Sequence, residues 1–449
     1  MTTFLIRTDI DSPPSVDDAV LLDWAPGLAA TNIDCDVDFF RHWRPAPSAA
    51  DLFLAASAVF CVDKIAPRLA ASDAWTRTLA LHLPLSVAPP LHLERLESAV
   101  RFLTGDLWSL HGHIGTTGPL DALPDVDPAL LPALDHDAVC LFSGGLDSLC
   151  GAIDLLETNP TLRLALLGWY DGGQSTSKQQ QLYNTLAQRY GADRLSLHRL
   201  WLRPAPANPR QAHPSPSNEE TTTRARSLLF LTAAIALASA AGPNVPVYLP
   251  ENGYVALNVP LTRARVGSAS TRTTHPYFLE LLTTALVDSG ITNPLINPYG
   301  LQTKGEMMRG SRNPGLLHRL APDTVSCSHP EAARMQERPQ GNCGYCFPCL
   351  IRRAALDAAG WDEEDYPWDV LSDGDLLDEV EKQRGADLRA VLNGIFDQRP
   401  DSDLLRNARL PRGSHRAHLS TWRRGNQELE DWFRSRAAGR LQTVIAALA

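Results

Sequence analysis

The chain has no membrane-spanning run, no signal sequence and no Walker motif. Its most apolar stretch, from Ser227 to Gly242, is shorter than the ~20 residues that a helix needs to cross a bilayer, and it predicts a buried helix. The first residues, MTTFLIRTDID, have neither a cationic start nor a long apolar core. The pattern GxxxxGK(S/T) is absent, which argues against a Walker-type phosphate loop. We therefore expect a cytoplasmic protein with no membrane partner.

Excess positive charge is also missing. The 449 residues include 41 lysines and arginines against 51 aspartates and glutamates, and the formal net charge of −10 argues against wholesale binding of nucleic acid. Residues 406 to 440 are locally rich in arginine and contain Trp422 and Trp432, a pattern that can bind nucleic acid. The acidic block of residues 361 to 385 adjoins this segment, so internal pairing or a protein interface is an equal alternative. Nucleic acid is a partner that we do not favour.

Eight cysteines are few for a chain of this length, and four of them are clustered. The four are Cys327, Cys343, Cys346 and Cys349. Their spacing, C-x15-C-x2-C-x2-C, suits a closed tetrahedral zinc site in a reducing compartment. His329 is an alternative ligand, and an iron–sulfur cluster is the alternative metal centre, because C-x2-C-x2-C also occurs in ferredoxin-type sites. The remaining four are predicted core residues: Cys35, Cys61, Cys140 and Cys150.

The strongest motif is a glycine turn behind a short apolar strand. Val139 to Phe142 is the predicted strand, and apolar residues recur at helical spacing from Leu149 onward. The turn between them consists of Ser143, Gly144, Gly145, Leu146, Asp147 and Ser148. Two glycines at a helix N-terminus can form a nest of backbone N–H groups for an anion. Asp147 fits such a site if Mg²⁺ bridges it to phosphate. The pattern favours nucleotide binding over a simple capped helix.

Strands and helices alternate after this turn. Further apolar strands are predicted at residues 162–170, 195–202 and 245–249, with helical patterns between them. This order indicates an α/β domain whose parallel sheet is covered by helices on both faces and binds ligands at the carboxyl ends of its strands.

Three parts of the chain are predicted from these patterns. Residues 1–130 form an N-terminal α/β accessory domain, residues 137–358 the central α/β domain, and residues 361–449 a helical C-terminal region. The segment from Gly115 to Asp137 is rich in Gly, Pro and Asp and is predicted to be a linker into the central domain.

Further candidate ligands follow the predicted strands. Tyr170 and Gln174 flank a second glycine-containing turn, which should line the same crevice as the first. Arg226 opens an apolar helix, where a cation opposes the helix dipole, and this favours an anionic ligand over a solvated arginine. Lys304, near another helix start, is a candidate phosphate contact. The candidate substrate-binding residues are Glu251, Asn252, Arg272 and His275.

Three stretches together resemble a known family. They are SGGLDS at 143–148, PYGLQTKGEMM at 298–308, and CGYCFPCLIRRAAL at 343–356 behind an upstream cysteine. The combination resembles 7-cyano-7-deazaguanine synthase (QueC), a PP-loop ATPase, over roughly residues 137–358. RSLLF from Arg226 is similar to a further segment of that family.

The resemblance implies a PP-loop sheet of the adenine nucleotide alpha hydrolase-like type, with ATP, Mg²⁺ and Zn²⁺ as cofactors. It implies an ATP-dependent ligase that adenylylates a carboxylated deazaguanine, captures the acyl group with ammonia as an amide and dehydrates the amide to a nitrile. The glycine turn would hold the phosphates, with Asp147 on Mg²⁺. Lys304 and Arg226 would offset charge in the transition state. Tyr170 and Gln174 would take part in the nucleotide site.

The chain departs from the family at two places. The family's histidine-containing segment after the second strand is here Tyr170-Asp-Gly-Gly-Gln174, and its substrate segment is replaced by ENGYVALN at 251–258 and TRTTHP at 271–276. With its added terminal parts the chain looks most like the QueC-like proteins of bacterial antiphage systems of the Qat type. Co-encoded defence proteins are the expected partners, and a partner's amine is a candidate acceptor. A PP-loop tRNA-modifying enzyme and a non-catalytic nucleotide-binding scaffold are the alternatives.

Overall fold

Two parallel β-sheets and the helices around them make up the computed structural model of this chain. The residues that the structure describes are 1–8, 16–24, 32–86, 90–115, 134–170, 174–204, 220, 222–261, 272–338, 340–362, 364–372, 374–377, 383–396, 401–402, 405 and 409–448. Within these ranges, no helix is both long enough and apolar enough to cross a membrane. The predicted α/β class, with parallel sheets flanked by helices, is confirmed.

The elements are numbered in chain order. The strands are β1 (Thr2–Arg7), β2 (Val20–Asp23), β3 (Ile33–Cys35), β4 (Thr78–Leu85), β5 (Leu107–Ile114), β6 (Ala138–Leu141), β7 (Leu164–Trp169), β8 (Leu195–Leu200), β9 (Leu202–Pro204), β10 (Val247–Tyr248) and β11 (Leu295–Ile296). The α-helices are α1 (Pro47–Ile65), α2 (Leu93–Thr104), α3 (Leu146–Thr158), α4 (Gln174–Tyr190), α5 (Arg226–Ala241), α6 (Gly253–Ala256), α7 (Pro276–Asp288), α8 (Lys304–Arg309), α9 (Pro314–Leu320), α10 (Phe347–Ala358), α11 (Gln383–Phe396), α12 (His415–Arg436) and α13 (Gly439–Leu448).

The N-terminal sheet has the order β2–β1–β4–β5, and all its strands are parallel. Nearly every residue of α1 from Ala49 to Ile65 is buried, because this helix packs between the N-terminal strands and α5. A helix that is apolar all round needs such cover. By contrast, α2 is amphipathic and ends at Gly105, whose φ of +76° gives a left-handed C-cap.

The central sheet is also parallel and has the order β11–β10–β6–β7–β8. Successive residues of a strand face opposite sides of a sheet. Accordingly, Ala138 and Cys140 of β6 pack with α3 in one apolar cluster, and Val139 packs with α5 in another. The prediction of helices on both faces is confirmed, and the carboxyl ends of the parallel strands β6, β7 and β10 lie at one edge of the sheet.

The N-terminal part is joined to the central part by more than the linker. Strand β3 pairs in antiparallel register with β9, which directly follows the central strand β8, so that Cys35 lies opposite Leu202. Helix α2 packs against α7, and one continuous apolar core contains residues from both parts. The predicted linker lies almost entirely outside the described residues, and the boundaries at 130 and 137 stay a prediction.

A buried ionic network supports the start of α5. Asp63, Asp106, Arg68 and Arg77 are each at most 4% exposed. An Arg77 Nη2 lies 2.6 Å from Asp106 Oδ2 and 2.5 Å from Asp63 Oδ1, and an Arg68 Nη1 lies 2.7 Å from Asp106 Oδ1. Burial alone would raise the pKa of Asp106, but the hydrogen bonds from the two arginines hold it below its usual value. The other carboxylate oxygen of Asp63, Oδ2, accepts the backbone N–H of Ala225, which is the N-cap of α5.

The described residues of the C-terminal region include helices α11, α12 and α13, and α12 packs against α10. Trp422, Leu429, Trp432 and Phe433 of α12 join a second apolar core that also contains residues of α10. Several arginines of this region form internal ion pairs. These pairs are Arg423 with Asp401, Arg424 with Glu306, Arg434 with Glu430 and Arg436 with Asp357. All four acids lie outside the acidic block of residues 361–385, so these arginines pair with other parts of the chain.

Candidate functional site

The glycine turn lies between β6 and α3, as its sequence predicts. Gly144 has a φ of +80°, a left-handed conformation that glycine adopts at least cost, and a Cβ there would lie 3.1 Å from Gln179 Cγ. Gly145 is the N-cap of α3, and its N–H donates to Ser143 Oγ at 3.2 Å. Ser148 Oγ donates to the carbonyl of Gly145 at 2.9 Å, which fixes that hydroxyl beside the turn. Both serine hydroxyls therefore face the same small space, 3.3 Å apart.

Asp147, in the first turn of α3, is held by residues from two other elements. Its Oδ1 lies 2.5 Å from Lys304 Nζ, and its Oδ2 accepts Asn252 Nδ2 at 2.7 Å. Lys304 opens α8 behind Thr303, which forms a capping box with Glu306. Asn252 is the N-cap of α6 and is fully buried. Three residues that the sequence marked separately thus form one cluster.

Glu251 stands next to this cluster and is bonded to the loop before α7. Its Oε2 accepts Thr274 Oγ1 at 3.0 Å. Burial, reinforced by the negative charge of Asp147, raises the pKa of Glu251 to about 7. Two carboxylates that repel each other in one cavity are a suitable donor set for a hard cation such as Mg²⁺.

Two connected cavities meet at the turn. We call the first the apolar chamber, a space of about 240 Å³ at the ends of β6 and β7 whose walls include Phe142, Leu167, Trp169, Phe230 and Leu249. We call the second the polar chamber, a space of about 260 Å³ whose walls include Gly145, Asp147, Lys304, Ser326 and Phe347. The two share four wall residues, which are Ser143, Ser148, Pro250 and Glu251. Apolar and aromatic walls on one side and charged groups on the other suit a ligand with a planar ring and an anionic part.

Arg226 lies at the rim of the apolar chamber. Its guanidinium is 5.4 Å from the ring centre of Trp169 and 5.2 Å from that of Phe230, within the range of cation–π attraction. The side chain is exposed, and it opens α5 as the sequence predicted. A cation in this place can meet the anionic part of a ligand without leaving the rim.

Two other predicted residues lie beside the site. Arg272 donates to the carbonyl of Phe102 at 2.6 Å, and His275 is the buried N-cap of α7. Neither lines a chamber; their neighbours Thr273 and Thr274 line the apolar one. The substrate-binding role of Arg272 and His275 stays a prediction.

The second glycine-containing turn is described only at its ends. Tyr170 follows β7 and is exposed, with its ring 5.9 Å from the guanidinium of Arg199. Gln174 is the first residue of α4. Residues 171–173 and the Gln174 side chain lie outside the described part of the structure, so the nucleotide-binding role of this turn is untested.

The structure adds two residues that the sequence did not indicate. Gln179 of α4 is 1% exposed, lines the apolar chamber and donates Nε2 to the carbonyl of Ser143 at 3.1 Å. Ser326 lines the polar chamber, and its Oγ accepts the N–H of Leu146 at 3.3 Å. Gln179 belongs to no sequence motif. Ser326 directly precedes the predicted metal ligand Cys327, and this position in the sequence could have indicated it.

The four clustered cysteines form a candidate metal centre. Their sulfur atoms all lie within 4.8 Å of one another, with Cys327 and Cys346 at 3.7 Å and Cys343 and Cys349 at 3.8 Å. Zn–S bonds of about 2.3 Å in a tetrahedron place the sulfurs about 3.8 Å apart. The set could therefore hold a metal such as zinc. His329 is not part of the group, since its ring stacks on Tyr345.

The cysteine loop is joined to the glycine turn. The N–H of Val325 donates to the carbonyl of Gly144 at 3.1 Å, two residues before Cys327. Cys346 is the N-cap of α10, whose first residues Phe347 and Pro348 line the polar chamber. A metal bound by the cysteines would thus fix one wall of the polar chamber.

Replacing Cys346 by alanine is expected to lower the metal content from about one ion per chain to near zero, because three thiolates leave the tetrahedral site incomplete. Loss of the ion frees the first turn of α10, which lines the polar chamber, so the nucleotide that the sequence predicts as ligand should also bind more weakly. Elemental analysis and calorimetric titration measure the two effects. The control is Cys35→Ala, a buried cysteine outside the cluster. Unchanged ATP affinity after loss of the metal would contradict the coupling.

Replacing Glu251 by glutamine is expected to stabilise the protein in buffer without divalent cations, more at pH 8 than at pH 5. The folded pKa of about 7 exceeds the usual 4.5, so the carboxyl contributes stability below about pH 4.5 that is lost as the pH rises through 7. Melting temperatures of the wild type and the variant, measured from pH 5 to pH 8, show whether the difference between the two proteins grows with pH. A difference in melting temperature that stays constant with pH would contradict the raised pKa of Glu251. The control is Glu331→Gln, at an exposed ion pair.

No family model matches the chain, and no curated protein matches it either.

Proposed function

We propose that the protein is an ATP-dependent ligase that adenylylates a carboxylate and passes the acyl group to an amine. The carrying observation is the cluster of Asp147, Lys304 and Asn252 at a glycine turn between an apolar and a charged chamber. The resemblance of the three sequence stretches to 7-cyano-7-deazaguanine synthase supports a PP-loop ATP site and a carboxylated deazaguanine as the acid. A setting in bacterial antiphage defence, with a partner protein's amine as acceptor, belongs to the same proposal.

The reaction assigns a role to each part of the site. A carboxylate oxygen of the substrate attacks the α-phosphorus of ATP, the bond to the pyrophosphate oxygen breaks, and pyrophosphate leaves. The Lys304 ammonium and the Arg226 guanidinium stabilise the negative charge that builds on the phosphates. Asp147, with Glu251 beside it, would hold Mg²⁺, which supplies charge neutralisation to the phosphates. The amine then attacks the acyl carbon, and AMP leaves.

No side-chain nucleophile is required by this scheme. The substrate's carboxylate forms the new bond to phosphorus. Ser143, whose Oγ accepts the N–H of Gly145, would donate its own proton to a phosphate oxygen. Zinc would be structural, because four thiolates fill its coordination sphere and leave no open position. The buried thiols Cys140 and Cys150 are held neutral, since burial raises their pKa values far above the usual range. A thiolase that needs a reactive cysteine at this turn is therefore less favoured.

The test is an isotope experiment with 7-carboxy-7-deazaguanine labelled with ¹⁸O in its carboxylate. Adenylylation transfers one ¹⁸O atom to AMP, which mass spectrometry detects, and pyrophosphate appears in equal amount. Reactions with ammonia and with the co-encoded proteins separate nitrile, amide and protein conjugate as products. Release of ADP, or AMP without label, would rule out the acyl adenylate, and tight ATP binding without turnover would favour the scaffold.

A further inference from the structure

One C-terminal helix holds the residues that surround Lys304. Glu428 of α12 accepts the backbone N–H of Gly305 with Oε1 at 2.8 Å and the hydroxyl of Thr303 with Oε2 at 2.5 Å. These two donors stand on either side of Lys304 in the chain. Burial raises the pKa of Glu428, and the two hydrogen bonds act in the opposite direction. A Cβ at Gly305 would lie 2.5 Å from Glu428 Oε1, so the glycine permits this close contact.

Two further residues of α12, Arg424 and Thr421, bind the stretch from Leu301 to Glu306. Arg424 Nε lies 2.6 Å from Glu306 Oε1, and its Nη2 donates to the carbonyl of Leu301 at 2.8 Å. Thr421 Oγ1 donates to that carbonyl as well, at 3.0 Å. Glu306 is the residue that completes the capping box with Thr303. Both ends of the turn that presents Lys304 are therefore fixed by α12.

The helix also supports the other partner of Asp147. Gly425 lies against the ring of Tyr254, where a Cβ would come within 2.2 Å of Cδ2, and the Tyr254 hydroxyl donates to Asn426 Oδ1 at 2.8 Å. Tyr254 belongs to α6, the short helix that Asn252 caps. Through α6 and α8, α12 holds both side chains that bind the Asp147 carboxylate.

We propose that α12 is a structural part of the ATP site and that Glu428 is the positioning residue for Lys304. Glu428 satisfies a backbone N–H in the first turn of α8, where no intrahelical acceptor exists. It thereby fixes the backbone from which the Lys304 side chain reaches Asp147. The contacts of Glu428 with Thr303 and Gly305 do not depend on which reaction the protein catalyses. The expected effect of Glu428 on the reaction rate rests on the proposed adenylylation. Small displacements of a charge-stabilising group are costly, with about 1 Å worth up to about a hundredfold in rate.

The test uses Glu428→Gln in the full chain. Glutamine offers one acceptor oxygen where the carboxylate offers two, so either Thr303 or Gly305 loses its partner. We expect the kcat for pyrophosphate release to fall about tenfold or more with a smaller change in KM for ATP. Glu430→Gln is the matched control, since Glu430 lies on the same helix and pairs only with Arg434 on the surface among the contacts described.

A second measurement does not depend on turnover. Lys304 is 6% exposed, and an amine-reactive reagent should label it slowly in the wild type. In Glu428→Gln, labelling of Lys304 should become about tenfold faster, as read by peptide mass spectrometry. Lys178, paired with Asp323 at the surface, is the internal reference and should not change. Gly305→Ala, whose methyl group displaces the intact Glu428 carboxylate, should have the same effect and serves as the second variant.

The outcomes separate the two proposals. Slow labelling of Lys304 in folded Glu428→Gln and Gly305→Ala would overturn the positioning role, whether or not the enzyme is active. Faster labelling of Lys304 in these variants, together with no pyrophosphate release by the wild type, would support the positioning role of Glu428 and contradict the proposed adenylylation. Equal labelling increases in Glu430→Gln would show a general loosening of the helix and would also overturn the assignment to Glu428.

Discussion

Replacing Asp147 by asparagine is expected to lower the rate of ATP-dependent pyrophosphate release by about a hundredfold or more. The variant removes the carboxylate that faces Lys304 and the proposed position of the phosphates, and preorganised charges of this kind account for about 10²–10³ in rate. It also leaves the buried Lys304 ammonium without its ion-pair partner, 2.5 Å away in the wild type. Breaking such a buried pair destabilises a protein by about 3–5 kcal/mol. Steady-state kinetics and urea unfolding measure the two effects.

The double variant Asp147→Asn, Lys304→Met separates catalysis from folding. It removes both charges, so that no uncompensated ion is left, and most of the lost stability should return while the activity does not. Recovery of activity in the double variant would remove both Asp147 and Lys304 from the mechanism and leave them as a structural ion pair. Full activity in the single variant would remove Asp147 from the mechanism.

Replacing Asp106 by asparagine is expected to lower the free energy of unfolding by about 3–5 kcal/mol, the range for breaking a buried ion pair on one side. Asp106 accepts from both Arg68 and Arg77, and both guanidinium groups are almost fully buried. The neutral amide leaves them with excess positive charge that water cannot reach. The midpoint of urea unfolding, followed by tryptophan fluorescence, measures the loss.

The control for this variant is Asp38→Asn. Asp38 pairs with Arg41 on the surface, where both side chains are more than half exposed, and such pairs contribute about 0–1 kcal/mol. Because the pKa of Asp106 is lowered in the folded protein, its contribution is present above its unfolded pKa and is lost as the pH falls through the folded value. The gap between wild type and Asp106→Asn should therefore narrow in acid. A gap equal to that of Asp38→Asn would contradict the role of the network.

Local motifs of the site were predictable because they depend on neighbouring residues. The strand, the glycine turn and the helix from Val139 onward follow from apolar spacing and from the backbone freedom of Gly144. The cysteine set follows from ligand spacing, and the sulfur separations fit it. The cluster of Asp147, Asn252 and Lys304 was not predictable as a cluster, since three elements distant in the chain must pack before these side chains meet.

The parts that the sequence did not indicate are held by long-range contacts. Glu428 and Arg424 reach the first turn of α8 across more than a hundred residues, and neither stands in a recognisable pattern. The arginines of the tail could be read as a nucleic-acid surface, because composition does not reveal which acid each one faces. Strands of two or three residues, such as β3 and β11, are too short to show an alternating pattern.

The pairing of β3 with β9 fixes an order of events during synthesis. Cys35 leaves the ribosome long before Leu202, its partner in the register. At about 5–20 residues per second the wait is roughly 10–30 s. Helix α5, which packs against α1 in the apolar core, has also not been synthesised by then, so the face of α1 that α5 covers is exposed to water. The first hundred residues thus complete their fold only after the glycine turn, β7 and β8 have been made, and a gene cut at the linker would yield two halves that each expose an apolar face.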